Sequence, residues 1–200
     1  MITYTFSSIT IGRIALAAGI AGLLGLIFII LFFTIGQPFG TLNDICIGLT
    51  AILIVILVWM LYPGHHAQSP LLSNIALVIA LLGALVVLVG SALSIFGVTG
   101  WFLSGLYMAA GNAIIGLWLL GLNYSAFLVN SFPHGLIIFG IISGVILALG
   151  LVTILGIFRG VDTQEYELTI FNYIWWTSSL GYLILYPIWC VLLGRFLLIK

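Results

Sequence analysis

Apolar residues run through this chain in long unbroken stretches, separated by short clusters of proline, glycine and polar side chains. Six stretches, near 11–35, 42–62, 71–96, 101–122, 134–158 and 169–198, are long enough to cross a bilayer. A hydrocarbon core about 30 Å thick takes about 20 helical residues. The strands of a membrane barrel would alternate apolar and polar positions, and these stretches do not. The pattern therefore predicts an all-α fold, a polytopic six-transmembrane-helix bundle in a single domain over 1–200. Each break carries its own signal. "GQPFG" supplies Pro38, "PGHHAQSP" supplies Pro63 and Pro70, "GVTG" is a tight turn, "NYSAFLVNSFPHG" ends near Pro133, and "RGVDTQEYE" is the charged loop.

Composition strengthens that reading. The chain is 64% hydrophobic and 4% charged, with a mean hydropathy of +1.43. So few polar residues cannot cover a water-soluble domain. Four basic and four acidic residues leave zero net charge. With no basic run, binding to nucleic acid through phosphate neutralisation is excluded, and so is a polybasic attachment to anionic lipid. Arg13 precedes about two dozen apolar residues, too many for a signal-peptide core, which predicts a retained first span. Cys46 and Cys190 fall near opposite ends of their predicted spans, so no disulfide is expected between them.

An even number of spans puts both termini on one side. Arg13, Arg195 and Lys200 then oppose Arg159, Asp162, Glu165 and Glu167, a basic bias that predicts cytoplasmic termini. Trp59, Tyr62, Trp118, Tyr124 and Trp189 fall toward one interface. Trp101, Tyr166, Tyr173, Trp175 and Trp176 fall toward the other, as an aromatic belt requires.

Candidate chemistry is sparse. Asp44 opens the second span in "GTLNDI", and Thr41-Leu42-Asn43-Asp44 has the pattern of a capping box. In that reading Thr41 accepts a first-turn N–H and the Asp44 carboxylate favours the positive helix end. The functional reading pairs Asp44 with Arg159 at the same membrane face. Asn112, in "MAAGNAIIG", is the most central strong polar group. It is expected to hold helices together or, with Ser143, Thr177 and Ser178, to line a small polar cavity. Gly140, Gly144 and Ala148 recur at four-residue spacing on span five, as do Ala15 with Gly19 and Ala18 with Gly22 on span one. Such rows allow close helix contact, within the monomer or in self-association. Pro187 in the sixth span predicts a kink near Leu183 and a hinge, and Tyr182 and Tyr186 are expected to share a face. His65, His66 and His134 lie on one predicted side, in loops, without the spacing or acidic neighbours of a metal site.

The pieces "LYPIWCVLLGRFLL" and "FGTLNDI" are similar to stretches of uncharacterised bacterial six-span proteins with no assigned activity. The resemblance implies a compact six-helix bundle and carries across no catalytic residue. No predicted span has a charge at its centre, which intramembrane chemistry and ion coupling usually need. The sequence thus predicts a non-catalytic accessory or scaffold subunit of a bacterial cytoplasmic membrane, in contact with lipid and with another membrane protein or itself. The alternative is a small channel or carrier for a neutral or lipophilic solute.

Overall fold

A computed structural model describes residues 6–67, 69–162 and 169–199, with the backbone alone at residues 65 and 169–171. Among these residues every regular element is helical. Helix α1 spans Ser8–Thr34, α2 Phe39–His66, α3 Pro70–Ile95 and α4 Trp101–Leu128. The fifth span consists of α5 (His134–Ala148), a 3₁₀ turn (Leu149–Val152) and α6 (Thr153–Phe158). The sixth consists of α7 (Thr169–Leu180), a π-helical segment (Gly181–Leu185) and α8 (Tyr186–Ile199). Six stretches among the described residues are long and apolar enough to cross a membrane. The expected Glu165, Tyr166, Glu167 and Lys200 lie outside the described residues.

Helices adjacent in sequence pack side by side, and α1 against α8 closes the ring. Between apolar helices in lipid there is little hydrophobic drive, so close approach and dispersion must hold the bundle. The small-residue rows supply that approach. Gly12 meets Gly194 across α1 and α8, and Gly22 meets the Pro187 ring. A Cβ on Gly111 of α4 would lie 2.6 Å from the Gly83 carbonyl of α3, so those backbones nearly touch. Gly140 of α5 packs on Asn123, and Gly144 packs on Leu120 and the Gly116 carbonyl of α4. The Gly140–Gly144 face proposed for self-association is thus occupied by α4 within the monomer.

Turns follow local chemistry. After α3, Gly97 takes φ +62°; its N–H reaches Ser94 O at 3.1 Å while Val98 N–H reaches Leu93 O at 2.9 Å. Gly160 repeats this pattern after α6, with φ +62° and the pair Gly160 N–H to Ile157 O and Val161 N–H to Gly156 O. These are Schellman endings, whose left-handed residue strongly favours glycine. The N-terminus of α4 is capped from a distance: Asp162 accepts from Gly100 N–H at 3.0 Å and Leu103 N–H at 3.2 Å. That carboxylate also complements the helix dipole.

Several boundaries move from the sequence reading. Helix α4 runs on to Leu128 rather than ending near 122. Asn123 there is fully buried, its amide donates to Leu119 O at 2.8 Å, and the turn forms only at Asn130, with φ +50°. Pro63 does not end α2, which continues to His66. A proline lacks only its own N–H and still accepts through its carbonyl, as Ala67 N–H to Pro63 O shows. Trp118 and Trp189 do not sit at an interface. They are 3% and 0% exposed and meet edge-to-face at 6.3 Å inside the bundle. Trp59, Tyr124, Tyr173 and Trp176 are exposed, as belt residues should be.

The expected kink at Pro187 takes a different form. Pro187 cannot donate to Leu183 O, and its ring crowds that carbonyl. The preceding turn widens into the π segment Gly181–Leu185 instead. Tyr186 is buried and stacks on Trp189 at 6.0 Å, while Tyr182 packs against the same core and also lines a cleft.

Candidate functional site

The cleft forms at the bundle end where α1 finishes and α2, α4 and α7 begin. Its walls come from Ile29 and Phe33 of α1, Asn43, Asp44 and Ile47 of α2, and Trp101, Gly105 and Met108 of α4. The sixth span contributes Trp175, Trp176, Ser179, Tyr182 and Leu183. The free volume is about 30 Å³, room for about two water-sized groups.

Among the described residues Asp44 is the one carboxylic acid lining it. Helix α2 starts at Phe39, five residues before Asp44, which places the carboxylate about 7.5 Å along the axis from the helix start. The capping-box reading is therefore corrected: Thr41 N–H and its hydroxyl both donate to Gln37 Oε1, at 3.4 and 3.3 Å, so Gln37 serves the helix start. Asp44 is 3% exposed. Its Oδ2 accepts from the Ser94 hydroxyl of α3 at 2.5 Å, and its Oδ1 accepts from Asn43 Nδ2 at 3.2 Å. Arg159 is not its partner; it is exposed beyond the end of α6.

A buried carboxylate needs hydrogen bonds and a compensating charge or proton. The two donors supply the first requirement. Because a carboxylate only accepts, its contact fixes Asn43 with Nδ2 toward Asp44 and Oδ1 away from it. Asn43 is 4% exposed, and that Oδ1 has no hydrogen-bond partner. The Trp175 indole N–H, buried in the same walls, is also unpartnered. The aromatic rings form a connected set, with Trp101 edge-on to Trp175 at 6.0 Å, Trp175 beside Trp176 at 4.8 Å and Phe33 edge-on to Trp101 at 5.9 Å.

The polar lining expected around Asn112 is not assembled. Asn112 is buried but turns its amide onto Met108 O of its own helix at 2.9 Å. Ser143 donates to Phe139 O at 2.7 Å and Thr177 to Tyr173 O at 2.8 Å, again within their own helices. Ser178 alone crosses to a neighbour, donating to Leu147 O at 3.2 Å beside the 3₁₀ turn, which makes it a helix–helix contact. Polar side chains in a helix find a carbonyl four residues back, and a group satisfied there has little left for a solute. Ser94, the Asp44 partner on α3, went unnoticed in the sequence. Its signal was the pair Ser91 and Ser94, three apart in the last turns of an apolar span.

His66 packs its ring on Tyr62 and His134 on Phe127, each at a helix end. Among the described residues no group of three or more His, Cys, Asp or Glu could hold a metal ion. Cys46 and Cys190 are separate buried thiols.

Fold and site together define a multi-pass, all-helical membrane protein with a small internal cleft built on one carboxylate. No family model, curated protein or solved structure matches the chain.

Proposed function

We propose that this protein is a small non-enzymatic carrier in a bacterial cytoplasmic membrane, with both termini in the cytoplasm, and that the Asp44 cleft is its solute site. One observation carries the reading: the buried carboxylate and the π-wound segment of the sixth span share a single cleft. A buried acid inside a membrane bundle is costly to keep and marks solute pathways when it is kept. π-helical turns concentrate at functional sites. Tyr182 and Leu183 belong to that turn and to the cleft wall, so a change in its winding alters the cleft directly. Pro187, just beyond, lacks the N–H for a regular α-helical bond to Leu183 O and packs against Gly19 and Gly22 of α1. The scaffold reading rests on the lack of a charge at the centre of any predicted span and has no cleft of this kind behind it.

Flux through purified protein in liposomes tests the carrier reading. Entry of glycerol is followed by light scattering and entry of radiolabelled methylammonium by filtration. Flux above empty liposomes that Asp44→Leu abolishes and Asn112→Leu preserves is the expected result. Flux of neither probe above the empty-liposome level, or flux indifferent to Asp44→Leu, overturns it.

A further inference from the structure

We infer that the Asp44 cleft takes a small primary ammonium ion; this names the solute class for the carrier proposed above and rests on that reading. A carboxylate offers about four acceptor sites, and Ser94 and Asn43 fill one each. Among the described residues no arginine, lysine or histidine lines the cleft to balance the charge. The neighbouring Asn43 Oδ1 is also buried and without a donor, on the side toward Gly25 of α1. A buried carboxylate with open acceptor sites, lining a small space with no resident cation, matches the N–H donors of an ammonium head. The aromatic walls suit the same class, since the faces of tryptophan attract an ammonium group through the ring quadrupole. Trp101, Trp175 and Trp176 stand together in those walls. The unpartnered Trp175 N–H remains as a donor for water or for an oxygen on the solute's chain.

Size and coordination narrow the class. A free volume of about 30 Å³ accepts the ammonium head and one or two carbons. A divalent metal such as calcium wants six or more oxygen ligands. The cleft lining offers fewer: the Asp44 carboxylate, the Asn43 amide, the Tyr182 hydroxyl and the Ser179 hydroxyl, which already donates to Trp175 O at 2.9 Å.

The test is a titration of the purified protein in nanodiscs at neutral pH with ethylammonium chloride, sodium chloride or ethanol. Binding is read by tryptophan fluorescence and by the melting temperature. A saturable response to ethylammonium alone is expected, weakened at least tenfold by Asp44→Asn and several-fold by Trp176→Leu. Ethanol or sodium matching ethylammonium overturns the ammonium inference, and so does undiminished affinity in Asp44→Asn. If Asp44→Asn fails to fold, Trp176→Leu decides, because this ring is half exposed and its loss spares the core. Wild-type affinity in that variant then overturns the inference. No ethylammonium response together with glycerol flux in liposomes rejects the ammonium class and leaves the carrier standing. Absence of any flux rejects the carrier itself.

Discussion

Asn112 and Asp44 are both strongly polar, both nearly inaccessible and both carried by apolar helices, yet the bundle treats them in opposite ways. Asn112 sits near the middle of α4, where its amide closes onto the Met108 carbonyl of the same helix. Asp44 sits a turn and a half inside α2, and one of its two donors comes from another helix. The first arrangement satisfies the side chain locally and leaves close-packed walls around it. The second joins α3 to α2 through Ser94 and leaves Asp44 with acceptor capacity at a cleft. Position along a span is therefore a poor guide to which polar group keeps open bonding capacity. What matters is whether a polar group's bonding is completed inside its own helix.

Substitutions can break or sharpen this contrast, and the largest effect is expected where neither residue is involved. Gly111 crosses α3 at backbone distance, so Gly111→Leu should cost about 3 kcal/mol or more and lower the yield of folded protein, read by melting in detergent. A stable Gly111→Leu protein would show that α3 and α4 are less tightly packed than the contact at Gly83 indicates. Next, Asp44→Ala leaves the Ser94 hydroxyl without its acceptor inside the bundle and should cost about 1–3 kcal/mol, together with loss of solute flux. Intact flux in a folded Asp44→Ala protein would erase the distinction between the two sites. Ser94→Ala removes one donor while leaving the carboxylate to Asn43, and should cost about 1 kcal/mol with reduced flux. Loss of the α4 cap in Asp162→Ala should also cost about 1 kcal/mol and leave solute affinity near wild type. Smallest of all, Asn112→Leu should shift stability by about 0.6 kcal/mol and leave flux unchanged. A loss of flux in that variant would return the solute path to the middle of α4.

Much of the architecture is legible in the chain because a bilayer reads sequence almost one helix at a time. Each apolar run is long enough to span, each break holds proline, glycine or a polar cluster, and the six helices fall where those signals put them. The errors are local. Pro63 resembles a stop signal and is absorbed into α2, since a helix near its end tolerates a missing donor. Trp118 and Trp189 look like belt residues because hydropathy counts position along a span and says nothing about which face of the helix a ring occupies. The small-residue rows were visible as rows, but whether Gly140 and Gly144 meet α4 or a second copy depends on neighbours chosen in space.

The candidate site was legible only in part. Asp44 stands out in a chain with four acids, and its pairing with Thr41 is a reasonable reading of the spacing. That reading fails because α2 begins earlier, at Phe39, where Gln37 meets the Thr41 N–H and the carboxylate is carried into the bundle. Ser94 is fifty residues away, and the rings of Trp101 and Trp175 belong to other spans again. Composition and periodicity by themselves settled that the chain forms apolar helices for a membrane, since that choice depends on solvation summed over each run. Which polar groups share a cleft was decided by tertiary packing alone, because a hydrogen bond a few ångströms long joins residues that nothing in their separation along the chain relates.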